Sequence, residues 1–153
     1  MEILFEHPTV NDAQALLDVQ IRAFHDDARL YPGVEIGGPP GYDSLEVVTE
    51  EIEKELYHKI VCDGKIVGGI VVYDRGEGHF HLDKIYVDPE YHNRTIGTCA
   101  MQFIEALYPA SKWSLDTPVY AVRNHHFYEK MGYIRGKEFA ADDITLFAYE
   151  KQV

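Results

Sequence analysis

The stretch Val87–Pro109, VDPEYHNRTIGTCAMQFIEALYP, decides the reading of the fold because it changes character halfway along. It opens as the end of an apolar strand, turns at Asp88-Pro89, and then sets Ile96, Ala100, Phe103, Ile104 and Leu107 at helical spacing. Between the two halves lies the polar joint EYHNRT, Glu90 to Thr95. A strand that runs into a helix leaves the first backbone N–H groups of that helix unpaired, and those groups together with the helix dipole form a site for an anion. The joint is thus either a phosphate cradle or a plain turn.

The rest of the chain narrows the choice. Its 153 residues fit one domain, 1–153, long enough to bury a core. A hydrophobic content of 46% with 26% charged residues reads as a soluble globular protein. No apolar run approaches the roughly 18 residues that span a membrane, and MEILFEHPTV lacks the basic start and apolar centre of a signal peptide. A cytoplasmic location with no membrane partner is the expectation. Cys62 and Cys99 sit in apolar patterned segments without metal-ligand spacing, which suits reduced core thiols. The formal net charge of −12 argues against nucleic acid as a partner, since that binding rests on Lys and Arg neutralising phosphates, and it favours a basic or amine-bearing substrate.

Element by element, EILFEH is a short strand, and Thr9-Val10-Asn11-Asp12 supplies a cap for a helix bearing Ala13, Leu16, Leu17, Ile21 and Phe24 that fades near Leu30. The Gly- and Pro-dense YPGVEIGGPPGYDS, Tyr31 to Ser44, reads as a loop of about 14 residues, a length that is often functional. Ser44 then caps a second helix with Leu45, Val48, Ile52 and Leu56 on one face. YHKIVCD, KIVGGIVVYD and HFHLDKIYV form an antiparallel meander through an Asp63-Gly64 turn and the RGEG turn. The opening stretch gives a long helix, KWSLDTP a strand, RNHHFYEKM a short helix, and GYIRGKEF with ITLFAYE a closing pair of strands. The expected class is α+β: a central mixed, mostly antiparallel seven-stranded sheet flanked by about four helices.

This order and two local patterns resemble the GNAT superfamily of acyl-CoA N-acyltransferases over nearly the whole chain. That family typically follows a Val-x-Pro-like strand end with Gln or Arg, two residues, Gly, one residue, and Gly or Ala. Here Val87-Asp88-Pro89 matches the turn and Gly97 the second glycine, while His92 stands where Gln or Arg is usual and Thr95 where the first Gly is usual. Half of the signature is altered. The second pattern, NHHFYEKMGY from Asn124 to Tyr133, is similar to the family's Asn-x-x-x-Tyr-x-x-x-Gly-Phe/Tyr segment and is intact.

The resemblance implies an acetyl-CoA-dependent N-acetyltransferase acting by direct attack in a ternary complex, with no metal. In it, the strand edge at Ile85, Tyr86 and Val87 pairs with the pantetheine arm, and His92, Asn93, Arg94, Thr95, Ile96, Gly97 and Thr98 take the pyrophosphate. Asn124 contacts the cofactor, and Tyr128 occupies the position of the acid that protonates the departing thiolate. A phenol near pKa 10 stays protonated at neutral pH and remains close enough to a thiol near about 8.5 to serve it. His81 and Asp83 fall where several family members place a base; His79, His81 and Asp83 share one strand face unless a bulge intervenes, and water is a further candidate. A backbone N–H near Val87 is the expected oxyanion donor, because the family splays its fourth strand there.

For the acceptor, the resemblance points to the first two helices and their connection, where Asp27, Tyr31, Glu35, Tyr42 and Asp43 are candidates to attract and stack on a cationic amine, small molecule or peptide. Family members are often dimers through their C-terminal strands, which makes a homodimer the suggested assembly. Two alternatives stay open. One is a non-catalytic acyl-CoA-binding sensor, motivated by His92 and Thr95. The other is a vicinal-oxygen-chelate metalloprotein, to which FYEKMGY is also similar, although that family needs paired β-α-β-β-β modules and this chain begins with two consecutive helices. Eight histidines raise the metal question, yet adjacent His125 and His126 point in different directions on a helix.

Overall fold

Alternating apolar residues make the opening Ile3–Glu6 an edge strand, β1, half of whose side chains reach the core. The computed structural model of the chain describes residues 1–92 and 95–153. After β1, the Asp12 carboxylate accepts the Thr9 amide at 2.9 Å and starts helix α1, Ala13–His25. The helical run expected to fade near Leu30 is interrupted earlier. The Asp26 amide is shared between the Arg22 and Phe24 carbonyls, and a separate one-turn helix, α2, spans Asp27–Leu30.

Tyr31 to Ser44 is a loop, as its Gly and Pro content requires, and Ser44 Oγ then accepts the Val47 amide at 3.2 Å to cap helix α3, Leu45–Lys54. Strands β2 (Leu56–Cys62), β3 (Lys65–Asp74) and β4 (His79–Val87) form the expected meander. Its first turn places Asp63 and Gly64 at positive φ, the conformation that tight hairpins need. Helix α4 (Ile96–Leu107), strand β5 (Lys112–Pro118), helix α5 (Val122–Lys130) and the hairpin of β6 (Ile134–Ala141) and β7 (Ile144–Gln152) complete the chain.

The sheet is seven-stranded, ordered β1-β2-β3-β4-β5-β7-β6, and every pair is antiparallel except β4 with β5. One face packs Ala13, Leu16, Leu17 and Val19 of α1 and Val48 of α3 against Tyr57, Val71 and Tyr86. The other face packs Ile96, Ala100, Met101 and Ile104 of α4 and Tyr128 of α5 against Ile70, Phe80, Leu82, Trp113, Leu115 and Tyr149. Each fully buried aliphatic or aromatic side chain of this kind contributes about 1.5–3 kcal/mol, so both layers hold the sheet firmly.

Two irregularities of β4 position the site. First, Val71 of β3 pairs with Lys84 while Val72 pairs with Leu82, so Asp83 is an extra residue, a bulge. Phe80 and Leu82 face α4 before it, and Ile85 and Val87 face the same side after it. Second, β4 pairs with β5 only from His79–Lys112 to Leu82–Leu115, although β4 runs on to Val87 and β5 to Pro118. The strands part there. The Asp88 amide donates to the Val67 carbonyl at 2.7 Å, toward β3, so by strand alternation the amides of Ile85 and Val87 face the opening.

Candidate active site

A cavity of about 430 Å3 lies over this opening. Its floor is Ile85, Tyr86 and Val87 of β4. At one end stand His92 and the start of α4, from Thr95 to Thr98, with Asn124, Phe127 and Tyr128 of α5 beside them. At the other end stand Ala23 and Phe24 of α1 and Asp27, Leu30 and Tyr31 of α2 and the loop that follows. The gap thus joins the α4–α5 side of the sheet to the α1–α2 side.

The helix start has the form of an anion cradle. The first hydrogen bond of α4 runs from the Cys99 amide to the Thr95 carbonyl at 3.0 Å, so the amides of Ile96, Gly97 and Thr98 come before it at the positive end of the helix dipole. Thr95 itself has φ 61° and ψ 9°, the left-handed conformation that glycine adopts freely and that costs a β-branched residue about 1–2 kcal/mol. A Cβ added at Gly97 would meet the Phe127 ring at ordinary contact distance. Asn93 and Arg94, the remaining expected phosphate contacts, lie outside the described residues.

His92 is held by the protein's own backbone, its Nε2 donating to the Val87 carbonyl at 3.1 Å with Nδ1 3.9 Å from Asp26 Oδ2. Asn124 Nδ2 donates to Thr117 Oγ1 at 3.2 Å, which fixes the amide at the cavity wall. Tyr128 packs among Phe127, Tyr133 and Tyr149, and its hydroxyl makes no hydrogen bond among the described residues. Burial pushes this phenol well above its ordinary value, so it keeps its proton.

The expected base positions lie elsewhere. His81 is buried on the opposite face of β4 from Phe80 and Leu82, with Nδ1 2.7 Å from Ser114 Oγ and its ring stacked on Tyr73. Burial, aided by Arg75 and His79, pushes it down to about 4, so it is neutral at neutral pH. Asp83 borders a second cavity of about 380 Å3 with Glu51, Lys84 and Tyr73. Burial raises its carboxyl even though Lys84 pulls the other way. Neither residue lines the cavity that Tyr128 lines. The bulge turns Asp83 and Lys84 to the same side, where the Lys84 ammonium sits 3.0 Å from Glu51 and 3.7 Å from Asp83.

Of the acceptor candidates, Asp27 and Tyr31 line the main cavity, whereas Glu35, Tyr42 and Asp43 do not. Glu35 and Asp43 are exposed. Tyr42 stands one layer behind, its hydroxyl 2.7 Å from His25 Nε2 and its ring edge-on to Phe24. Two residues that the sequence reading passed over also belong here. Arg123 lines the cavity next to Asn124, and Tyr120 donates to Asp27 Oδ2 at 3.1 Å. Arg123 was visible as a cation inside the Asn124 segment; nothing local marks Tyr120. His125 is buried and donates to the Pro118 carbonyl at 2.9 Å while His126 is exposed, so the adjacent histidines diverge.

The pattern of the Acetyltransferase (GNAT) family matches residues 21–133, which takes in the last turn of α1, the opening of β4, the start of α4 and Tyr128. The chain belongs to this family. Among solved structures, this GNAT chain is similar over 100% of its length, and 100% of the other, to the PaiA N-acetyltransferase of Thermoplasma acidophilum in complex with coenzyme A, at 19% identity and a TM-score of 0.82. It is similar over 99% of its length, and 94% of the other, to the ribosomal-protein-S18-alanine N-acetyltransferase of Escherichia coli, at 12% identity and a TM-score of 0.76. These likenesses are ones of fold. A stretch of 75 residues, 48% of the chain, is 47% identical to the Bacillus subtilis (strain 168) protein YrkN, of whose length it spans 40%. The open seven-stranded GNAT sheet and its flanking helices therefore agree with the class expected from the sequence.

Proposed function

We propose that this GNAT protein transfers an acetyl group from acetyl-CoA to a primary amine by direct attack within a ternary complex. The observation that carries the reading is one cavity bringing together the free edge of β4, the first amides of α4 and the phenol of Tyr128, which has no hydrogen-bond partner among the described residues. The residues fit the cosubstrate by chemistry: strand amides at Ile85 and Val87 that face the opening for an amide-bearing arm, helix amides at Ile96, Gly97 and Thr98 for a pyrophosphate, and a cation, Arg123, at the rim. In this reading His92, Asn93, Arg94 and Thr95 join the phosphate contacts, Tyr86 backs the arm, and Asn124 holds the wall.

The chain's part in the reaction is then to orient and to move protons. The Val87 amide donates to the developing oxyanion, and Tyr128 gives its proton to the leaving sulfur. Direct attack suits the thiols present. Cys62 is buried in β2 and Cys99 lies within α4, and neither lines the cavity. His81 and Asp83 do not line this cavity, so they are not proposed as groups that touch the amine. They remain candidates only through intervening water. No helix among the described residues is long and apolar enough to cross a membrane, and a cytoplasmic homodimer meeting through the β6–β7 hairpin is the proposed setting.

Calorimetric titration of acetyl-CoA into the protein tests the reading, with one-to-one binding in the micromolar range expected, followed by thiol release when an amine is added. Saturable binding without turnover across a broad amine set would favour the sensor reading, which the strained Thr95 and the self-bound His92 support. Absence of binding would end both.

A further inference from the structure

Asp27 is the one carboxylate lining the main cavity among the described residues. It comes from α2, and one of its oxygens, Oδ2, accepts the hydroxyl of Tyr120, 93 residues away in the β5–α5 connection, at 3.1 Å. No other side-chain hydrogen bond to this carboxylate occurs among the described residues. Tyr31, next to α2, stands edge-on to Tyr120 at 5.4 Å between ring centres and also lines the cavity. The α1–α2 side and the β5–α5 side are thereby tied across the gap in the sheet.

An alkylamine arrives as its ammonium, because such groups titrate near about 10.4. It must lose a proton before its nitrogen attacks, and a group that takes that proton directly must share a cavity with the thioester. We propose that Asp27 receives the ammonium group of the acceptor and takes its proton, and that Tyr120 positions the carboxylate. The assignment rests on the acetyltransfer reading above. The steps balance. The Asp27 carboxylate takes one proton from R–NH3+, leaving R–NH2. The nitrogen forms a bond to the acetyl carbon, the carbon–sulfur bond breaks, and the sulfur leaves with the Tyr128 proton. The surplus proton on nitrogen returns to the Tyr128 phenolate, and Asp27 releases its own to solvent.

The groups that face Asp27 are Asp26 beside it, Tyr120 from the β5–α5 connection and His92 from the β4–α4 joint, with Tyr31 and Arg123 at the next contact. Burial raises the Asp27 carboxyl, the Tyr120 hydrogen bond pulls it back, and the Asp26 charge raises it further, which together make it a better proton acceptor than an exposed aspartate.

The test compares Asp27→Asn and Tyr120→Phe with the unaltered chain at saturating acetyl-CoA, using benzylamine, an ammonium at neutral pH, and aniline, which is already neutral. Asn keeps the Tyr120 hydrogen bond and Phe keeps the Tyr31 contact, so both variants should fold, which a melting curve checks. Asp27→Asn should lower kcat/KM for benzylamine about 100-fold and leave aniline within about threefold. Tyr120→Phe should move the acidic limb of the benzylamine pH profile upward, because the group that lowers Asp27 is gone; a merely structural role would lower the rate without moving the limb. Equal losses on both amines, a rise in KM with kcat kept, or no benzylamine turnover by an unaltered chain that binds acetyl-CoA would each overturn the assignment. Failure of that chain to bind acetyl-CoA would instead overturn the reading on which it rests.

Discussion

His92 Nε2 lies 3.1 Å from the carbonyl oxygen of Val87, so a side chain of the cavity wall is bonded to the free edge of β4. A guanidinium at this position would reach further and carry a fixed charge. His92→Arg is expected to tighten acetyl-CoA about tenfold, or ~1.4 kcal/mol, and to steepen the loss of affinity with salt. Calorimetry at two ionic strengths measures both. An unchanged affinity and salt response would mean that position 92 does not face the pyrophosphate.

Tyr128 presents the cleanest separation of binding from chemistry. Its hydroxyl makes no hydrogen bond among the described residues, so Tyr128→Phe removes no structural bond while it removes the proton. Turnover should fall about 100-fold, with acetyl-CoA affinity changed less than about twofold and no drop in melting temperature. Full activity in the variant would take Tyr128 out of the mechanism.

At Thr95 the left-handed backbone stores strain that glycine would release. Thr95→Gly is expected to raise stability by about 0.5–1 kcal/mol, after the greater freedom of glycine in the unfolded chain is offset, whereas Thr95→Ala should give no such gain. Urea unfolding of the three proteins decides this. Equal gains from Gly and Ala would locate the effect in the side chain and not in the backbone.

His58 supplies a pH signature of the core. It is 1% exposed, bonds to the Tyr108 hydroxyl at 2.5 Å, and is pushed down to about 4 by burial, with His7 adding to the effect. Unfolded, it titrates near about 6.5. As pH falls from 6.5 toward 4 the unfolded chain takes up a proton that the folded chain refuses, so this group removes up to about 1.4 kcal/mol of stability per pH unit. Asp27, Glu51, Asp83 and Asp116, all raised by burial, act in the opposite sense, because the folded form holds their protons longer as pH rises. The informative quantity is therefore the stability of the unaltered protein minus that of His58→Gln. It should shrink between pH 7 and pH 5; a constant difference would show that His58 titrates normally.

The elements were legible wherever the pattern was local. KWSLDTP is β5 residue for residue, Ser44 caps α3, and Asp63-Gly64 makes the hairpin turn, since alternation, capping chemistry and turn preference all act within a few residues. The strand-to-helix change after Val87 was legible for the same reason. What could not be read depends on contacts between distant segments. The bulge at Asp83 is a matter of the register between β3 and β4, and no residue near Asp83 announces it. The break at Asp26 and the reach of Tyr120 to Asp27 likewise have no local signal. The loop Tyr31 to Ser44 was correctly seen as irregular, but its composition gave no sign that Tyr31 would turn inward while Glu35 and Asp43 remained in solvent.

The parting of β4 and β5 bears on cohesion as well as on chemistry. Four residue pairs, His79–Lys112 to Leu82–Leu115, are all the ladder that joins the β1–β4 half of the sheet to the β5–β7–β6 half. An amide-bearing chain lying in the opening would supply rungs that the polypeptide omits and splice two half-sheets into one. Ligand and scaffold would then share a single seam. Cosubstrate binding would strengthen the whole protein by mass action, and the seam would be the first place to loosen when the product left.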